Sequence, residues 1–96
     1  MHFTGKGQGA VFQGRCSTLD TFKPGDVLVA RMTSPDHVDK IVMAGAVVTE
    51  IGGVLSHAAV VCIERGIPFV VGAKGAMALA GQFVRVDPEK GLVEAL

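Results

Sequence analysis

The sequence predicts an α/β fold with a parallel centre and antiparallel additions. Three observations predict it. The elements run in the order β, β, α, β, α, β, β, β. The short apolar run at 46–49 lies between two helical segments, which suits a strand covered on both faces. The last third of the chain alternates cleanly at 83–87, turns at 88–91 and returns at 92–96, the pattern of an antiparallel pair.

Taken in order, residues 1–8 read as a loose, flexible N-terminal segment, because glycines alternate with polar residues there, and residues 9–96 form one domain. "GAVFQGRC" (9–16) is a strand, Pro24-Gly25 marks a turn, and "DVLVAR" (26–31) is a second strand. "TSPDHVDKIVMAG" (33–45) reads as a helix. Ser34 is its N-cap, Pro35 suits its first position, and Gly45 serves as a left-handed stop. Val38, Ile41 and Val42 form its apolar stripe, Asp36 and Lys40 pair outside it, and His37 is a solvated residue on it. "HAAVVCIER" (57–65) makes a second helix that stops at Gly66. It shows no polar face from Ala58 to Ile63, so it is expected to be buried all round. "IPFVVG" (67–72) is the next strand, and 73–81 is a loop with a helical turn.

The chain has 96 residues, 49% apolar and 19% charged, with nine basic and nine acidic residues. That suits one globular domain. The charges are scattered and the only aromatic residues are five Phe, so neither nucleic acid nor an anionic membrane has a footprint to bind. No apolar run approaches the roughly 20 residues that span a bilayer. Cys16 and Cys62 lack metal-type spacing and nothing marks an oxidising compartment, which points to a cytoplasmic protein.

The chemistry concentrates in "TEIGGVLSH" (49–57). Read as strand, loop and helix, this segment lies at the carboxyl end of a central strand, the usual place for sites in open α/β sheets. Ser56 is a natural N-cap and puts His57 at the first helical position. Unpaired N–H groups and a positive partial charge there favour an anion built on or beside the ring, a phosphoryl group above all. Gly52 and Gly53 let a ligand approach the main chain. Thr49, at the strand end, is placed to hydrogen-bond one ring nitrogen and orient the imidazole. On residues alone, a glycine pair after a strand is also an ordinary turn, and a histidine beside an apolar run an ordinary structural residue.

Other chemistries fit less well. His57 and Cys62, five apart, are separated by about 140° around a helix and do not meet. A capping serine points at backbone N–H groups, so Ser56-His57 is no part of a serine triad. His2, His37 and His57 are too dispersed for a metal site. Glu50 reads as a solvated loop residue, with docking or magnesium positioning as its other role.

"VLVARMTSP…AGAVVTEIGGVLSHAAVVCIERGIPFVVGA" resembles the phosphohistidine (swivelling, or mobile) domain of the phosphoenolpyruvate-utilising enzymes, of the phosphoenolpyruvate synthase, pyruvate phosphate dikinase and rifampicin phosphotransferase type. The matching residues include Thr49, Gly52, Gly53, Ser56, His57, Ala58, Ala59, Gly66, Ile67, Pro68 and Gly72. Thr33 and Pro35 agree in the flank, and the similarity runs over residues 9–96. It implies a three-layer β/β/α swivelling fold in which His57 is the nucleophile that carries a phosphoryl group. The domain alone then binds no cofactor. ATP and Mg2+, or phosphoenolpyruvate, belong to an ATP-grasp nucleotide-binding or phosphoenolpyruvate-binding partner, domain or subunit. Met1 and a clean start favour a separate phosphocarrier subunit of a phosphotransferase. Departures are Cys62 and Ile63, where the family pattern has Ala-Arg, together with Val54 and Leu55 after the glycines. Val54 and Ile63 leave the role of His57 intact; Ile63 and the lack of a donor domain support the alternative of a non-catalytic regulatory or interaction module.

Overall fold

The computed structural model describes residues 1–96, in eight strands and two α-helices. In chain order these are β1 (His2–Thr4), β2 (Lys6–Gln8), β3 (Phe12–Ser17), β4 (Val27–Ala30), α1 (Val38–Ile41), β5 (Ala46–Thr49), α2 (His57–Arg65), β6 (Phe69–Val71), β7 (Phe83–Asp87) and β8 (Leu92–Ala95). Short 3-10 turns at Pro35–His37 and Ala76–Leu79 complete it. The strand order is β1-β8-β7-β3-β4-β5-β6-β2. Strands β3 to β6 run parallel, and β7, β8, β1 and β2 are added antiparallel.

Two apolar clusters make three layers. Side chains alternate across a strand, so Val27 and Val29 of β4 enter one cluster while Leu28 enters the other. In β5, Ala46 and Val48 oppose Val47 in the same way. The first cluster lies between the parallel strands and β7–β8, with Val84, Val86 and Val93 from the latter. The second lies under the helices, around Ile41, Ala58, Ala59, Cys62 and Phe69. The α/β class and its parallel centre are therefore as the pattern predicts. β3 belongs to both sheets, pairing with β7 through Phe12–Arg15 and with β4 through Cys16 and Ser17.

Three expectations are corrected by tertiary contacts. Residues 1–8 are not loose: β1 pairs with β8 and β2 with β6, so one segment closes both ends of the sheet order. The chain crosses between them at Gly5, whose N–H donates to the Gly91 carbonyl at 2.8 Å.

The helix expected over 33–45 shrinks to a 3-10 turn and four α-helical residues, because the chain must turn back early to enter β5. Gly25 donates to the Met43 carbonyl and Gly45 to that of Asp26, both at 2.9 Å. Gly45 is not left-handed; it is glycine because a Cβ there would collide with the Phe12 ring. Asp36 and Lys40 form no ion pair; the pairs are Arg15–Asp26 at 3.6 Å and Arg85–Asp87 at 4.0 Å. His37 is half-buried, and its Nδ1 accepts from the Ser34 N–H at 3.1 Å.

Helix α2 buries only Ala58, Ala59 and Cys62, leaving Val60 and Ile63 42% and 45% exposed. One face packs on the sheet and nothing in the fold covers the other. Its end is as predicted, with Gly66 left-handed at φ 69°.

Cys16 and Cys62 are free thiols, one in each cluster. Burial pushes both from 9.0 up to about 12, and the Asp26 carboxylate adds to the effect at Cys16. Neither thiol is expected to react with iodoacetamide near neutral pH until the protein unfolds. An unfolded thiol releases its proton from about 9.0 while the native one holds it to about 12. Stability is therefore expected to be highest below this window and to fall as pH rises through it. Thermal melts of the wild type and of Cys62→Ala, compared on the alkaline side, check this; equal slopes would contradict it for Cys62.

Candidate functional site

The site forms where two neighbouring parallel strands end together. Ala30 of β4 is paired with Thr49 of β5, so the loops after them leave the sheet side by side. Their backbones stay joined for two more residues. Glu50 N–H donates to the Ala30 carbonyl at 3.1 Å, and Ile51 N–H to that of Arg31 at 2.9 Å. The first loop thereby carries Thr33 to the start of α2, which the second loop leads into.

His57 is the first residue of α2, and Ser56 before it is the cap, its Oγ accepting from the Ala59 N–H at 3.4 Å. The imidazole is half-buried, and its Nδ1 lies 3.1 Å from Thr33 Oγ1. The hydroxyl that meets the ring is thus Thr33's. Thr49, expected in that role, is 1% exposed and its Oγ1 has no hydrogen-bond partner. Sequence reading noted Thr33 in the flank and assigned it no role. The signal for it was positional: a hydroxyl three residues past the strand that neighbours the histidine's own.

Gly52 and Gly53 have different reasons to be glycine. Gly52 sits at φ 119°, where side chains are rarely accommodated, and a Cβ on it would stand 3.0 Å from Ser56 Cβ. Gly53 meets nothing within 4 Å. Neither of their N–H groups donates within the protein. Glu50 is not a free loop carboxylate, since its Oε2 accepts from the Met77 N–H at 2.9 Å, at the start of the second 3-10 turn.

A cavity of about 240 Å³ adjoins the ring, walled by Met32, Thr33, Thr49, Gly52, Ser56 and His57 among others. Two of its lining residues are apolar and open to solvent, Met32 at 60% exposed and Ile51 at 46%. A helix start, a ring held at one nitrogen and an open cavity beside it present the imidazole outward. No three His, Cys, Asp or Glu side chains converge in the fold, and no helix is long and apolar enough to cross a membrane.

This architecture defines a three-layer α/β domain that offers a single histidine at the carboxyl end of its parallel sheet. Residues 22–91 match the family model of the PEP-utilising enzyme, mobile domain. The chain is 49% identical over 79 residues to the phosphoenolpyruvate synthase of Pyrococcus furiosus, covering 80% of this chain and 10% of that protein. Among solved structures, an Enzyme I protein determined by NMR superposes with a TM-score of 0.64 at 30% identity, over 78% of this chain and 32% of that one. Aconitase X of Thermococcus kodakaraensis superposes over 100% of this chain and 98% of its own at a TM-score of 0.74 and 20% identity, a likeness of fold. The chain belongs to the PEP-utilising enzyme mobile-domain family, and spans about a tenth of the length of the synthase it matches.

Proposed function

We propose that the protein is a phosphocarrier in which His57 takes a phosphoryl group from an ATP- or phosphoenolpyruvate-binding partner and delivers it to an acceptor site. The observation that carries this reading is the 3.1 Å contact between Thr33 Oγ1 and His57 Nδ1 at the head of α2. With the proton on Nδ1 donated to Thr33, the lone pair sits on Nε2. Nε2 forms the bond to phosphorus, the donor's P–O bond breaks, and the leaving oxygen keeps that electron pair. The Nδ1 proton stays on the ring throughout. Delivery reverses these steps with the acceptor's oxygen as nucleophile.

The start of α2 and the unpaired N–H groups of Gly52 and Gly53 favour the charge that the carried group brings. The family context supports placing ATP and its magnesium on the partner. A partner of the ATP-grasp type, or a phosphoenolpyruvate-binding domain, supplies the donor site, because the chain matches only a small part of a synthase.

The test supplies an ATP-grasp domain from a relative with ATP and magnesium, or a phosphoenolpyruvate-binding domain with phosphoenolpyruvate. The expected product is an acid-labile, base-stable mass gain of one phosphoryl group, absent in His57→Ala. Wild type and His57→Ala remaining alike under both donors would instead favour a regulatory or interaction module.

A further inference from the structure

Three buried side-chain polar atoms lack a hydrogen-bond partner: Ser17 Oγ, Thr49 Oγ1 and Arg85 Nε. Only Thr49 also borders the His57 cavity. An orphaned hydroxyl in a central strand costs stability, and β5 offers no structural reason for one, since the rest of that strand is Ala46, Val47 and Val48. A valine would fill the same space without the penalty.

The hydroxyl is aimed at a particular place. A Cβ built on Gly52 would stand 3.2 Å from Ser56 Oγ and 3.9 Å from Thr49 Oγ1. The space over Gly52, kept open by the missing side chain, is therefore bordered by two hydroxyls and by the first turn of a nine-residue helix. Ser56 is already occupied as the cap. His57 Nδ1 is already occupied by Thr33. Of the hydroxyls around the ring, only that of Thr49 is buried with no partner at all.

We infer that Thr49 is a ligand for the phosphorylated state: its hydroxyl donates to a phosphoryl oxygen once the group is on His57. This rests on the carrier reading and adds to it a residue that acts after loading. A phosphoryl group brings oxygens with concentrated negative charge, the strongest acceptors a hydroxyl meets. Cleavage of the P–N bond spreads that charge over a metaphosphate-like group, so a hydrogen bond to the loaded form holds it against water. The cost of an unpaired hydroxyl in the empty protein becomes a stabilisation of the loaded one.

The experiment loads the protein chemically with phosphoramidate, which needs no partner. His57 Nε2 bonds to phosphorus, the reagent's P–N bond breaks, and its nitrogen leaves as ammonia with that electron pair. After the reagent is removed, loss of the phosphoryl group to water is followed at neutral pH for wild type, Thr49→Val and Thr49→Ser. Thr49→Val is expected to lose it about tenfold faster, with Thr49→Ser close to wild type. Unloaded Thr49→Val is expected to melt at or above the wild-type temperature, because it removes an unsatisfied hydroxyl; a purely structural threonine would shift melting downward and leave the loss rate alone. Thr49→Ala replaces the valine variant if that one does not fold.

Equal loss rates for wild type and Thr49→Val would overturn the inference and leave the carrier reading standing. So would a Thr49→Ser variant as labile as Thr49→Val. A wild type that takes no phosphoryl group on His57 from phosphoramidate or from a protein donor would remove both.

Discussion

Gly5→Val is expected to cost the protein its fold, lowering stability by about 3 kcal/mol or more. Gly5 is where the N-terminal segment crosses from β1 to β2, and the crossing is backbone against backbone. A Cβ on Gly5 would overlap the Val71 carbonyl oxygen, and its N–H already bonds Gly91. Gly91 is tight in return: it is left-handed at φ 63°, and a Cβ on it would overlap the Gly5 carbonyl oxygen. No rotamer relieves a clash between main chains. The strands must part, and β8 and β6 are then left as unpaired edges open to other chains. A domain of this size holds about 5–15 kcal/mol in total, so the loss is a large share. Melting followed by circular dichroism should show a fall of about 12–24 °C, and light scattering should show association. A variant that melts within a few degrees of wild type and stays monodisperse would mean that the crossing does not close the sheet.

Thr33→Val is expected to have the largest effect on chemistry short of removing the histidine itself. The valine keeps the shape of the loop and removes the one oxygen that meets His57 Nδ1. The ring then loses its preferred tautomer and orientation, and Nε2 no longer presents its lone pair for most of the time. A hydrogen bond of this kind corresponds to about a tenfold slower loading. The fold should not change, since Thr33 lies in a half-buried loop outside both apolar clusters. Loading rates with one donor, measured for Thr33→Val and Thr33→Ser, separate positioning from packing. The serine variant should load near the wild-type rate, and 15N shifts of the imidazole should report the tautomer moving in the valine variant alone. Wild-type loading by Thr33→Val would place the ring's orientation elsewhere.

These two residues also mark how far the chain could be read before folding. At the N-terminus, "HFTGKGQ" has no apolar alternation, and strands of three residues carry little propensity of their own. Their order comes from ladders to β8 and β6, with partners 61 positions away for Gln8–Phe69 and 92 for His2–Glu94, pairings that no local window contains. At the site, Thr49 was visible because it stands in the same stretch as the histidine. Thr33 lies 24 residues earlier, and only the side-by-side exit of β4 and β5 brings it to the ring.

The helices divide along the same line. Helix α2 was legible at both ends because Ser56 and Gly66 are local signals, satisfied by bonds within one turn. Its burial was not, because an apolar stretch does not state which face a sheet will cover; Val60 and Ile63 stay outside. The first helix was overdrawn because Gly45 looked like a stop, whereas it is small to clear Phe12 across the fold.

By itself the sequence determined the α/β class, the parallel centre, the strand–Gly-Gly–helix unit and the histidine at its head. Each of these depends on side-chain period, capping or turn chemistry, which act within a few residues. The tertiary structure decided which hydroxyl holds the ring, which is left unpaired beside it, and how the first eight residues close the sheet. Those depend on strand neighbours and on the room left between main chains, and such distances exist only once the chain has folded.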